Sequence, residues 1–180
     1  SKHLDRRYGA KYSPENEILV TVGVSEGMDL AMRAIIDPGD QVLVPEPCYV
    51  SYRPCVSLAG GEPVGVATSS QDDFRVSVAQ LEQKLTPKTK AVILGFPSNP
   101  TGATMPRQAL QEIVNFADKH NLFIISDEIY DRLTYEGEHT CIASLNNAMQ
   151  RTITLNGFSK SYAMTGWRIG YACAPPTVLT

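Results

Sequence analysis

Six consecutive residues, Ala91-Val92-Ile93-Leu94-Gly95-Phe96, carry no polar side chain. A strand of that kind is stable only where both of its faces are covered. It therefore belongs in the middle of a parallel sheet with helices above and below, and the rest of the chain must supply those helices. Short apolar runs do alternate with helical patterns. Strands are predicted over residues 18–22, 41–44, near 63–67, over 122–126, 152–155 and 169–174. Helices are predicted over 26–36, closed by Asp37-Pro38-Gly39-Asp40, and over 49–59, 78–85 and 106–120. The last of these sets Leu110, Ile113, Val114 and Ala117 at the i, i+3, i+4, i+7 spacing of one buried stripe, with Pro106 suited to a first helical position. The alternation predicts a doubly wound, mostly parallel α/β sheet sandwiched by helices.

At 180 residues and 43% hydrophobic content the chain can bury one sizeable core. No internal repeat or linker divides it, so residues 1–180 are expected to form one domain. A formal charge of −3 without any basic run points to neither nucleic acid nor an anionic membrane surface as a partner. No apolar stretch reaches membrane-spanning length and the first residues have no signal-peptide core, so a cytoplasmic protein is expected. Cys48, Cys55, Cys141 and Cys173 lack the spacing of a zinc or redox site and are read as reduced and mostly buried. His3, His120 and His139 are far apart and are read as exposed or helix-end residues; no metal site is proposed. Residues 1–12 read as the tail of a helix and 175–180 as the start of another element, as in part of a longer chain.

Ligands of open α/β sheets bind beyond the carboxyl ends of the strands. Five such places carry suggestive residues. Gly23-Val24-Ser25-Glu26-Gly27 leads from a strand into a helix, where free N–H groups and the helix dipole suit a phosphate, although an isolated serine there is as simply a helix cap. Pro45-Glu46-Pro47-Cys48-Tyr49 delivers an aromatic ring able to stack on a flat heteroaromatic one. Phe96-Pro97-Ser98-Asn99-Pro100-Thr101-Gly102 fixes Asn99 in a rigid turn. Ser126-Asp127-Glu128-Ile129-Tyr130 ends a buried strand on a carboxylate that suits a protonated pyridine nitrogen, with Tyr130 three residues on; Glu128 is read as structural. The fifth is Asn156-Gly157-Phe158-Ser159-Lys160-Ser161-Tyr162-Ala163-Met164-Thr165-Gly166-Trp167-Arg168-Ile169-Gly170. Its small residues let backbone approach a bulky ligand. Lys160, once desolvated, is a nucleophile toward a carbonyl, and Arg168 can grip an anion bidentately.

That fifth segment resembles the cofactor-lysine signature of the class I/II pyridoxal-phosphate aminotransferases, and the similarity runs through nearly the whole chain. The resemblance implies the large, cofactor-binding domain of that fold and pyridoxal 5'-phosphate as cofactor. It implies Lys160 as the Schiff-base lysine, Asp127 paired with the pyridine nitrogen, Asn99 and Tyr130 bonded to the ring oxygen, and Tyr49 stacked on the ring. The backbone at Val24, Ser25 and Glu26, with Ser159 and Arg168, would hold the phosphate. Many relatives carry a hydroxyl residue three positions before the lysine, where this chain has Gly157, so no phosphate contact is implied there. The substrates implied are an amino acid and a 2-oxo acid, the assembly a homodimer. The family's N-terminal arm and C-terminal small domain, with its substrate-gripping arginine, have no counterpart here, so the 180 residues alone are expected to transaminate poorly. Two other readings have their own discriminants. A carbon–sulfur β-lyase on the same sheet would release ammonia and pyruvate, and the cofactor-binding module of a transcription regulator would carry a winged-helix part.

Overall fold

In the computed structural model, which describes residues 1–179, the chain forms one seven-stranded sheet. The elements in order are helix α1 (Lys2–Tyr8), β1 (Ile18–Thr21), α2 (Gly23–Ile35), β2 (Gln41–Glu46), α3 (Tyr52–Leu58), β3 (Glu62–Ala67), α4 (Val78–Glu82), β4 (Thr89–Gly95), α5 (Arg107–Lys119), β5 (Phe123–Asp127), β6 (Thr152–Gly157), β7 (Gly170–Cys173) and α6 (Pro176–Leu179). The element expected at 175–180 is thus α6, with Thr180 outside the described residues. The strand order is β1-β7-β6-β5-β4-β2-β3. Only β7 is reversed: it pairs antiparallel with β6 and with β1, while the pairings β2·β3, β2·β4, β4·β5 and β5·β6 are parallel.

The apolar run that opened the argument is β4, and its alternate residues serve two cores. Ala91 and Ile93 pack with Val42, Val44, Ile125 and Leu155 under α2 and α3. Val92 and Leu94 pack with Leu43 and Ile124 under α5, which contributes Leu110, Ile113, Val114, Phe116 and Ala117. Side chains of successive strand residues point to opposite faces, so a strand covered on both sides has no polar position. A third, smaller cluster joins Leu4 and Tyr12 near the chain start to Cys141 and Cys173. No helix among the described residues is long and apolar enough to cross a membrane.

Three helix boundaries lie three residues from those expected. Helix α3 starts at Tyr52, not at residue 49. Pro54 decides this: a proline is tolerated in the first helical turn, where its missing N–H has no acceptor to lose, but a start at 49 would put it in the second turn. Helix α2 starts at Gly23, three residues early, because the Glu26 carboxylate bends back to accept the Val22 N–H at 2.5 Å and caps the helix upstream. Helix α4 ends at Glu82 rather than 85, after a capping box between Ser77 and Gln80. Pro106 sits one residue before α5, as its N-cap.

The cysteines are all free, with Cys141 and Cys173 buried and Cys48 and Cys55 only half-buried. His139 departs from its expected exposure: its imidazole is 7% exposed and its Nε2 lies 2.9 Å from Glu128 Oε2. Glu128, itself buried, also accepts from Ser126 Oγ at 2.8 Å and from the Ile142 N–H at 3.0 Å. It is structural, as read, and His139 belongs to its network because a buried carboxylate needs its lone pairs satisfied.

Candidate active site

The chain winds outward from β4 in both directions, through β5, β6 and β7 on one side and β2 and β3 on the other, which makes the carboxyl ends beside β4 a topological switch point. A cavity of about 370 Å³ opens there. It is lined from the ends of β2, β4, β5 and β6 and from the start of α2. Val24, Ser25, Tyr49, Asn99, Asp127, Tyr130, Ser159, Lys160 and Arg168 all face it. Of the residues singled out in the sequence only Glu26 is elsewhere, occupied with the Val22 cap.

Asp127 forms the floor. Its residue is 7% exposed. Tyr52 donates its hydroxyl to Oδ2 at 2.9 Å and the Ile129 N–H donates to Oδ1 at 3.2 Å. Burial pushes the carboxyl up to about 6; the two donors and the Lys160 charge oppose that rise, and Glu128 adds to it. Such a carboxylate is short of positive charge and suits a cationic partner.

Tyr52 was not singled out in the sequence. It reaches Asp127 from α3 across the end of β4 because Gly95 there has no side chain; a Cβ on Gly95 would run into the Tyr52 hydroxyl. The glycine interrupting an otherwise branched apolar strand was the available signal. Tyr52→Phe is expected to raise the Asp127 carboxyl further and to cost about 1–2 kcal/mol of stability at pH 8, where the carboxylate is ionised. A carbon-13 titration of Asp127 with denaturant unfolding would read both.

The rim carries the remaining groups. Lys160 is exposed, its Nζ 5.7 Å from the centroid of the Tyr130 ring. Tyr49, 37% exposed, stands edge-on to Tyr52 with ring centroids 5.7 Å apart. Asn99 is held in a turn closed by the Gly102 N–H to Ser98 O bond (2.8 Å) and the Ser98 N–H to Ala103 O bond (2.9 Å).

The most telling geometry is at the start of α2. A helix beginning at Gly23 leaves the N–H groups of Val22, Gly23, Val24 and Ser25 without helical acceptors. Glu26 satisfies the first, so the open donors are Gly23, Val24 and Ser25, one residue upstream of the trio expected. Arg168 lies over them. A Cβ on Gly23 would be 2.5 Å from Arg168 Nη2, and one on Gly170 would be 2.7 Å from the Val24 nitrogen. Two glycines thus bring the guanidinium against the positive end of a helix. Among the described residues Arg168 has no carboxylate partner; its Nη1 donates to Thr165 O at 3.0 Å. A cation at that pole is unfavourable unless an anion sits between.

Comparison with known proteins accords with this geometry. The family model described as "Aminotransferase class I and II" matches residues 1–180. The chain belongs to that family. It is 49% identical over 175 residues to the putative aminotransferase YugH of Bacillus subtilis, covering 97% of this chain and 45% of that protein. It is 45% identical to aromatic-amino-acid aminotransferase 2 of Thermococcus litoralis, covering 99% of this chain and 46% of that one. The solved aromatic aminotransferase from Pyrococcus horikoshii OT3 superimposes with a TM-score of 0.97 at 43% identity, over 99% of this chain and 48% of that structure. The chain thus spans a little under half the length of these aminotransferases. Its sheet places an amine, a buried carboxylate and a guanidinium over a helix start around one cavity.

Proposed function

We propose that this chain is the large, cofactor-holding domain of a pyridoxal 5'-phosphate-dependent aminotransferase that moves an amino group between an amino acid and a 2-oxo acid. The observation that carries the reading is the Arg168 guanidinium set over the open N–H groups of α2, facing the same cavity as Lys160 and Asp127. The donor set fits the cofactor. Arg168, the N–H groups of Gly23, Val24 and Ser25, and Ser159 would take its phosphate. Asp127 would face the pyridine nitrogen, keeping it protonated, while Asn99 and Tyr130 would bond the ring oxygen and Tyr49 would cover a ring face. When bound, the cofactor supplies an electron sink that acidifies the α-carbon of an amino acid.

Lys160 would hold the cofactor through its amine and, when that amine is free, would serve as the base that takes the substrate α-proton and later returns it. Proximity to the Tyr130 ring restrains this flexible side chain on the cavity side. Arg168 and Lys160 are the only cations lining the cavity among the described residues, and on this reading both would be taken up by the cofactor. Nothing comparable remains for a substrate carboxylate, so we expect the 180 residues to bind cofactor and turn over poorly. Trp167, 70% exposed, and the exposed Tyr162 beside the lysine loop support a homodimeric assembly that covers them.

One experiment tests the reading. Pyridoxal phosphate is added, the mixture is reduced with borohydride, and the adduct is located by peptide mass spectrometry while a parallel sample is assayed for amino transfer. Labelling confined to Lys160, with little turnover, is expected. Labelling scattered over surface lysines would overturn the site, and rapid turnover would overturn its incompleteness.

A further inference from the structure

Asp131 follows Tyr130 but takes no part in the cavity. It is 3% exposed, and among the described residues it has no ion pair. Two hydroxyls serve it instead. Tyr8, the last residue of α1, donates to Oδ2 at 2.6 Å, and Ser161, the residue after Lys160, donates to Oδ1 at 3.2 Å. Burial, then Asp131 itself, holds the Tyr8 phenol well above its usual range, so Tyr8 remains the donor. Its ring stands edge-on to His139 with centroids 5.4 Å apart, and its oxygen accepts from Arg7 Nε at 2.9 Å.

The lysine loop has few other ties. Its internal backbone bonds are long: Tyr162 N–H to Phe158 O is 3.3 Å, Ala163 N–H to Lys160 O 3.2 Å and Met164 N–H to Phe158 O 3.4 Å. Ala163 has φ 52°, a region that residues with a Cβ seldom adopt. Among the described residues, the Ser161–Asp131 bond is the one side-chain hydrogen bond made by residues 158–164. Without it the segment carrying Lys160 is left with backbone bonds, the burial of Ser159 and the approach of Lys160 to the Tyr130 ring.

We propose that Asp131 is a positioning residue for the lysine: by holding Ser161 it fixes the direction in which Lys160 leaves the loop, and by holding Tyr8 it makes that direction depend on α1. The inference rests on the reading of Lys160 as the reactive amine. Misplacement of a reacting group by about 1 Å is enough to slow a reaction by up to ~100-fold without touching the ligand contacts.

The test is the rate of borohydride-trapped labelling of Lys160 as a function of pyridoxal phosphate concentration, with thermal unfolding recorded for every variant. Ser161→Ala is expected to lower the limiting rate about tenfold and leave the half-saturating concentration nearly unchanged, because the phosphate cradle is intact. Ser161→Thr, which keeps the hydroxyl, should restore the rate. Tyr8→Phe should slow labelling in the same sense, and Asp131→Asn combined with Ser161→Ala should be no slower than the slower single variant, since the shared Ser161–Asp131 bond can be lost only once. Ser161 is half-exposed, so its variants remain informative even where Asp131→Asn unfolds. A wild-type rate in Ser161→Ala, a loss that threonine does not restore, or additive losses in the double variant would each overturn the proposal. A wild-type chain that is not labelled at Lys160 would instead overturn the reading on which it rests.

Discussion

Lys160→Ala is expected to abolish trapped labelling and to lower amino transfer in the intact protein on the order of 10⁴-fold, the upper range for loss of a proton carrier. Reversible cofactor binding should survive, because Arg168 and the open N–H groups of α2 do not involve the lysine. Cofactor would then be lost on dialysis, where the wild type retains it. Arg168→Gln should do the reverse. It weakens cofactor binding roughly ten- to a hundredfold, the range for a charge-assisted hydrogen-bonding group, yet labelling at Lys160 recovers at high cofactor concentration. Absorbance titration and peptide mass spectrometry on the two variants separate the amine from the anion holder. Identical losses of both properties in both variants would mean that the two side chains do not have the separate roles assigned to them.

Asp127→Asn should separate function from stability. Activity is expected to fall about 10²–10³-fold, as on removal of a preorganised electrostatic group. Stability moves the other way with pH. The Asp127 carboxyl is held at about 6 in the fold against 3.8 as its ordinary value, burial being the main cause. Its contribution is therefore fully present below pH 3.8 and is lost as pH rises through 6, after which the folded state carries a buried charge costing at most about 3 kcal/mol. Asparagine carries no charge, though its amide leaves one donor to be satisfied near Tyr52. Between pH 4 and pH 8 the difference in unfolding free energy between variant and wild type should thus shift by about 2 kcal/mol in favour of the variant. Urea unfolding across that range measures it; a difference that stays constant would show that Asp127 does not titrate in this window.

Much of this architecture was legible because burial on both faces leaves a periodic trace. The Ala91–Phe96 run could be nothing but a covered strand, and Leu110, Ile113, Val114 and Ala117 could hardly face water. The strand-end rule and the family resemblance then named ten residues, of which nine line one cavity. What escaped was pairwise and distant. Tyr52 meets Asp127 from 75 positions away and Tyr8 meets Asp131 from 123, and neither partner marks the other in its own neighbourhood. His139 looked like any isolated histidine until the fold set Glu128 against it. The early start of α2 escaped for a local reason: Glu26 was weighed as part of a ligand loop rather than as a cap. Periodicity also carries no sign, so the reversal of β7 was invisible, apolar alternation being the same in either direction.

That reversal fixes the order in which the chain can become competent. Because β7 runs against its neighbours, the connection from β6 turns back on the rim of the sheet and never travels to the far side, which leaves Lys160 and Arg168 on the same edge only eight positions apart. The partner waiting on the other side of β7 is β1, whose residues Ile18–Thr21 left the ribosome some 150 positions earlier and pair with Gly170–Cys173. Until β7 is inserted, β1 has no neighbour in the sheet and the start of α2 has no guanidinium above it. Segments some 150 positions apart must therefore meet before the Arg168 guanidinium can stand over the start of α2, so this corner of the cavity takes shape only once β7 has paired with β1.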